Sequence, residues 1–288
     1  MKGPAYLPGL FFGVVFFAVV VFFATRCCGG VFATAVAARS KRAHASGCNS
    51  MSLEGPDFDM QPLSRVKNVR VTNWGQHSPM IMRPAISSKV AQYIAHWTEI
   101  ETKLGMFLAL LLHTNEQAIL AMYIGIENRA AQLRMINSAA GAVLPTEHND
   151  VISVFLTTEI TPTQKYRDKL AHWCWGYSDE LPDSLLIRHP RFQMADLAKS
   201  LKSQAAYGLA DVPTDNSNTF VIREPDLVQR LEHLTEIETH VRWAMATVWD
   251  HNAPQERAEY LRQLSNTPLV RSGLDRLNAG RQKTQTTQ

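Results

Sequence analysis

The sequence predicts a mostly α-helical protein, an antiparallel helical bundle carrying a small β-hairpin-like insertion. Three observations lead there. Apolar residues recur at three- and four-residue spacing throughout residues 87–176, the period of a helix with one buried face. A second stripe of that period, Leu227, Leu231, Leu234, Ile237, Val241, Met245 and Val248, follows Pro225. Between the two lie short runs rich in β-branched and aliphatic residues, Ser184-Leu185-Leu186-Ile187-Arg188 and Thr219-Phe220-Val221-Ile222-Arg223, which predict paired strands.

The elements follow in order. Ser87 or Ser88 is the expected N-cap of a first helix, with Val90, Ile94, Trp97, Ile100, Leu104, Leu108 and Leu111 on its inner face. Thr114-Asn115 breaks it. A second helix carries Ile119, Met122, Tyr123, Ile126, Leu133, Ile136 and Val143, with Glu127, Asn128, Arg129, Gln132 and Arg134 on its wetter face, and stops at Pro145. A third follows Thr146 with Val151, Val154, Phe155 and Ile160. A fourth opens with Thr161 as cap and Pro162 at the first helical position, and ends at Gly176 as C-cap. A helical stretch spans about 192 to 207, and a short helix spans 254–264. The expected helical domain is 86–264, followed by a polar, disordered tail at 265–288.

Residues 26–85 read as a linker, largely disordered, rich in Pro, Asn, Ser and Gly in its later half. Upstream, the run from Leu10 to Ala24 is nearly pure in apolar residues and uncharged, about the ~20 residues a membrane span needs. Lys2 precedes it, and Arg26, Arg39, Lys41 and Arg42 follow. Residues 7–25 as a span would leave the body in the cytoplasm. Two other readings stand beside that one: a spurious N-terminal extension, with a cytoplasmic protein starting at Met51, or export of the chain. A lipoprotein site at Cys48 fails, because basic residues precede it.

Composition excludes some classes. The net charge of +3, from 29 basic and 26 acidic residues, is too mild to argue for nucleic acid by itself. Three of the four cysteines, Cys27, Cys28 and Cys48, lie in the tail and only Cys174 in the body, so neither a disulfide framework nor a zinc site is expected. Cys174 reads as a half-buried thiol between two tryptophans. His96 and Glu99 lie one helical turn apart, as do Glu236 and His240, but no Glu-x-x-His pair exists for a di-metal bundle. No metal or cofactor is expected. The chain has no phosphate-binding loop, dinucleotide loop or serine elbow.

The stretch with chemical content is Tyr166-Arg167-Asp168-Lys169-Leu170-Ala171-His172-Trp173-Cys174-Trp175-Gly176. An arginine is followed by a small polar acid, and a histidine comes five positions after the arginine. With 19 arginines and 10 histidines, that spacing arises by accident on the order of 0.7 times, and roughly 0.1 times once Asn, Asp or His must follow the Arg. Arg39 and His44 share the spacing, but Ser40 follows Arg39. The chemistry is self-sufficient for RNA, which carries its own 2′-hydroxyl nucleophile. A proton acceptor near neutrality and a cation for the phosphorane-like transition state are enough. An arginine fork donates two hydrogen bonds to a phosphate at once.

With this stretch near the end of a bundle helix, residues 86–250 resemble the HEPN superfamily, whose motif is Arg-x4-His with Asn, Asp or His in second place. The likeness is topological over most of that span and sequence-specific only at the motif. It implies an all-α fold, a symmetric homodimer facing across Arg167 and His172, and metal-independent endoribonuclease activity of the toxin or defence kind, with a neutralising antitoxin as a partner class. Carried over, Arg167 would hold the scissile phosphate, His172 would act as general acid/base, and Asp168 would occupy the supporting polar position. Many active members have Asn there, and some keep the fold only to bind nucleic acid or protein. The alternative is therefore a non-catalytic RNA- or protein-binding helical module, tethered to a membrane if the N-terminal run is genuine. Trp173, Trp175 and Tyr177 could stack on bases, but their spacing suits packing better.

Overall fold

The computed structural model describes residues 60–286, apart from 67, 68, 70, 72, 75, 76 and 208–215. The apolar run of residues 7–25 and most of the expected linker lie outside the described residues. Among the described residues no helix is long and apolar enough to cross a membrane.

The expected linker contributes structure at its C-terminal end. β1 (Gln61–Pro62) and β2 (Asn73–Trp74) become the two edges of the sheet, and α1 (His77–Met82) leads into the bundle. The reason is apolar: Leu63 is buried against Leu186 and Val221, with Val66, Val69, Val71 and Trp74 packed around them. A composition rich in turn residues concealed a satellite core built of single valines and leucines.

α2 (Pro84–Leu111) is the central helix. It begins at Pro84, not at a serine cap, because proline presets the first helical φ. The Ser87 hydroxyl instead donates to Met80 O at 2.7 Å and to Arg83 O at 2.9 Å, tying α1 to α2. Of the expected stripe, Val90, Trp97, Ile100, Leu104, Leu108 and Leu111 are buried and Ile94 is half-buried.

The expected second helix is two. α3 (Glu116–Gly125) and α4 (Arg129–Val143) are separated at Ile126–Asn128, and Asn128 Oδ1 caps α4 by accepting from Ala131 N at 3.1 Å. The Gln132 amide, 2 % exposed, donates to Tyr123 O at 2.7 Å and to Ile126 O at 3.0 Å, satisfying carbonyls that the break would orphan.

The expected third and fourth helices, conversely, are one. α5 (Thr146–Phe155) continues through a π-turn, Leu156–Ile160, into α6 (Thr161–His172). Thr161 is helical (φ −61°, ψ −46°) and caps nothing. Proline inside a helix removes one hydrogen bond and clashes with the preceding turn, at about 3 kcal/mol or more. The wider π-turn just before Pro162 accommodates that ring. Thr161 Oγ1 donates to Leu156 O at 2.9 Å across the widened turn.

α6 stops at His172, short of the expected Gly176. Trp173 is extended (φ −82°, ψ 155°), and β3 (Cys174–Tyr177) follows. Gly176 is a strand residue paired with Leu186 and Trp74. Alternating large residues after the motif serve a sheet, and sheet pairing overrides helix continuation.

β4 (Ser184–Arg188) and β5 (Thr219–Arg223) pair antiparallel in the expected way, with Leu186 opposite Val221. α7 (Pro190–Tyr207) lies between them in sequence. The full sheet has the order β1-β5-β4-β3-β2, antiparallel at every junction. α8 (Glu224–Val248) then packs along α2, and α9 (Pro254–Ser265) packs along α8. The polar tail expected at 265–288 is α10 (Pro268–Thr286) over most of its length. Val270 is fully buried and Leu274 packs on the core, so a few apolar residues dock a largely polar helix. The fold is mostly α, a bundle with one small antiparallel sheet.

Candidate functional site

The motif occupies the last two turns of α6. Tyr166, just before it, is buried with its ring edge-on to Tyr93 at 5.3 Å and under the Arg230 guanidinium at 4.2 Å. Burial pushes the Tyr166 hydroxyl up to about 12 against the pull of Arg230. This packing fixes the rotation of α6 and hence the direction of the residues that follow.

Arg167 Nη1 donates to Asp168 Oδ1 at 3.1 Å. The Arg167 side chain is 17 % exposed, and its buried Nε finds no hydrogen-bond partner among the described residues. Asp168 is more open. His172 is exposed at the helix end, and its ring makes no hydrogen bond or ion pair among the described residues. Lys169, also in the last turn, places its charge where the helix C-terminus favours a cation, its ammonium 5.4 Å from the Trp173 ring centre.

The three predicted residues do not converge in one chain. Five helical positions turn through about 140° beyond a full circle and rise about 7.5 Å, so Arg167 and His172 leave α6 in different directions. Asp168 instead joins a groove of about 520 Å³ between the start of α4 and the π-turn, with Arg129, Arg134, Asn137, Thr157 and Lys165. Arg129 is held there by Glu101 at 3.2 Å and by Gln132 Oε1 at 3.1 Å. Asn128, Arg129 and Arg134 of the expected wet face line the groove, but Gln132 is buried, so that face was only partly legible in sequence. Its meeting with α6 was not.

The aromatic neighbours are packing residues. Trp175 is 4 % exposed, and Trp173 sits against Phe220 and His189 at 5.8 and 5.5 Å. Cys174 is a half-buried thiol, as expected, with burial pushing its pKa up and Arg188 opposing that.

Two ion-pair networks escaped the sequence reading. Glu159, 2 % exposed in the π-turn, accepts from His240 Nδ1 at 2.6 Å and from Thr267 Oγ1 at 3.0 Å. Its signal was available: a carboxylate between Leu156 and Ile160, inside an apolar stripe. Glu238 meets His96 at 2.9 Å, Lys103 at 3.0 Å and Arg242 at 2.5 Å. Thus His240 and His96, each one turn from a glutamate in sequence, turn to glutamates on other elements. Among the described residues no group of three or more His, Cys, Asp or Glu is placed to hold a metal ion.

No family model matches the chain, and no curated protein and no solved structure is significantly similar to it.

Proposed function

We propose that this chain is an RNA-directed domain of the HEPN kind that cleaves RNA without a metal ion. The observation that carries this reading is the open imidazole of His172, free of protein partners, at the end of the helix that presents Lys165 and Asp168 to a basic groove. Because Arg167 and His172 diverge on one helix, the reacting phosphate sits between two copies of the chain paired about a two-fold axis. One His172 takes the proton of the ribose 2′-hydroxyl, and that oxygen bonds to phosphorus. The bond from phosphorus to the 5′-oxygen breaks, and the partner's His172 protonates the leaving oxygen. The Arg167 guanidinium, released from Asp168, stabilises the charge that builds on the phosphoryl oxygens. The products are a 2′,3′-cyclic phosphate and a 5′-hydroxyl.

A second reading is favoured by the pairing of Arg167 with Asp168 and its low exposure: the domain binds RNA and does not cut it. Incubating total RNA with the protein in EDTA, then mapping product ends, separates the two. Cleavage that leaves cyclic phosphates and is lost in His172→Ala supports the nuclease. RNA retention without cleavage supports the binding module, and neither result sinks both.

A further inference from the structure

The groove beside the motif shares Asp168 with it but has a charge and hydrogen-bonding pattern of its own. We propose that it is a track for the sugar-phosphate backbone of single-stranded RNA. The proposal deepens the RNA-directed reading above and rests on it.

Three observations support this. The first is charge. Arg134 and Lys165 line the groove, both exposed, and neither has an ion pair or hydrogen bond among the described residues. Arg129 adds a third cation, fixed in direction by Glu101 and Gln132. The one carboxylate in the lining, Asp168, is itself covered by Arg167 at 3.1 Å. A polyanion gains from such a groove, and two cations on facing helices can each neutralise a phosphate.

The second is the state of the hydroxyls. Thr157 Oγ1 donates to Ser153 O at 2.8 Å, and Thr161 Oγ1 donates to Leu156 O at 2.9 Å. With their protons committed to the backbone, both oxygens present only lone pairs to the groove. Acceptors between cations suit a ligand that offers donors between its phosphates, and the ribose 2′-hydroxyl is such a donor. DNA lacks it. No aromatic residue lines the groove, so contacts fall on backbone and not on base faces, and recognition is independent of base identity.

The third is the backbone itself. One wall is the π-turn, which supplies Leu156 and Thr157 and adjoins Thr161. Such turns give up regular hydrogen bonding and recur at functional sites. The contrast within the molecule is the groove of about 490 Å³ between α2 and α8. It is lined by one lysine, Lys89, against Glu99 and Glu232, and has no comparable excess of positive charge.

The test is fluorescence anisotropy of a labelled single-stranded RNA of about 12 nucleotides, near the site size of a single-strand-binding fold, with the full chain in EDTA. The double variant Arg134→Glu, Lys165→Glu should bind at least tenfold more weakly. The slope of log affinity against log salt should fall by about 1.4, the share of two single-strand phosphate contacts. Lys89→Glu should bind as wild type does, and DNA of the same sequence should bind more weakly than RNA. Circular dichroism checks the fold. If the double variant does not fold, Arg134→Ala and Lys165→Ala singly should each lower the slope by about 0.7. Unchanged affinity and slope in the charge variants, or no RNA binding by the wild type, overturns the track. Cleavage with unaltered affinity in the double variant sinks the track and leaves the nuclease. Binding that depends on Arg134 and Lys165, with no cleavage, sinks the nuclease and leaves the track.

Discussion

His240 Nδ1 donates to Glu159 Oε2 at 2.6 Å, joining α8 to the π-turn that interrupts the α5–α6 helix. The same carboxylate accepts from Thr267 at the α9–α10 turn, so one buried acid ties three parts of the chain together. Glu159 is 2 % exposed, and removing its main partner strands a buried charge. His240→Ala should therefore lower stability by about 3 kcal/mol, read as a shift in urea unfolding. A loss under about 1 kcal/mol would mean the pair contributes little beyond packing. Replacing both residues by leucine should recover part of the loss, because no charge is then left buried.

Glu238 sets an acid limit. Burial pushes its carboxyl up, but hydrogen bonds from His96, Lys103 and Arg242 overcome this and hold it at about 2, below its ordinary 4.5. A carboxyl depressed in the folded state stabilises fully above its unfolded pKa and loses that contribution as pH falls through the folded one. The stabilisation is thus complete above about pH 4.5 and disappears toward about pH 2. Unfolding free energy measured down this range should fall less steeply in Glu238→Gln than in the wild type. Equal slopes would show that the network does not couple to folding.

Gly273 reports whether α10 is docked. A Cβ there would overlap Val154 Cγ1 and come within 3.1 Å of Thr158 Cγ2, on the helix carrying the π-turn. Gly273→Ala should destabilise by about 1–3 kcal/mol through overpacking. Gly280→Ala meets nothing within 4 Å and should be neutral or slightly stabilising, as alanine favours helix over glycine. Identical melting of the two variants would return α10 to the status of a tail.

Asp168 tests the proposed chemistry. Asp168→Asn removes the charge that engages Arg167 and keeps the side-chain shape, so cleavage should be retained or increased. His172→Ala should reduce the rate on the order of 10²–10⁴. Arg167→Ala should reduce it on a similar order through lost stabilisation of the phosphorane charge. Activity that survives both alanine changes, or that EDTA abolishes, removes these residues from the mechanism.

The N-terminal run gives a cellular prediction. With Leu10 to Ala24 as a span, the full chain sediments with membranes and resists carbonate extraction. A mature N-terminus at Met51 would favour the extension reading.

The sequence alone determined the elements with strong local periodicity. The stripes of α2 and α8 were readable because a residue's burial depends on its angular position, and three- and four-residue spacing encodes that angle directly. β4 and β5 were readable because runs such as Leu-Leu-Ile and Phe-Val-Ile fit a pleated, buried surface and sit poorly elsewhere.

Tertiary structure decided the rest, wherever the deciding partner is distant in sequence. Pro162 signals a helix start locally, but the π-turn lets one helix run past it. Trp173 and Trp175 continue a helical pattern by composition, yet Cys174, Trp175 and Gly176 pair with β4, and α6 ends at His172. Residues 268–286 look largely polar, and the burial of Val270, the packing of Leu274, the fit of Gly273 against Val154 and the Arg281–Asp150 ion pair dock them on the core and α5. Glu159 finds His240 across 81 residues and Thr267 across 108. No local pattern encodes such a meeting, because it depends on how whole helices cross. The basic groove is of the same kind: Arg134 and Lys165 are ordinary surface cations on separate helices until packing sets those helices side by side.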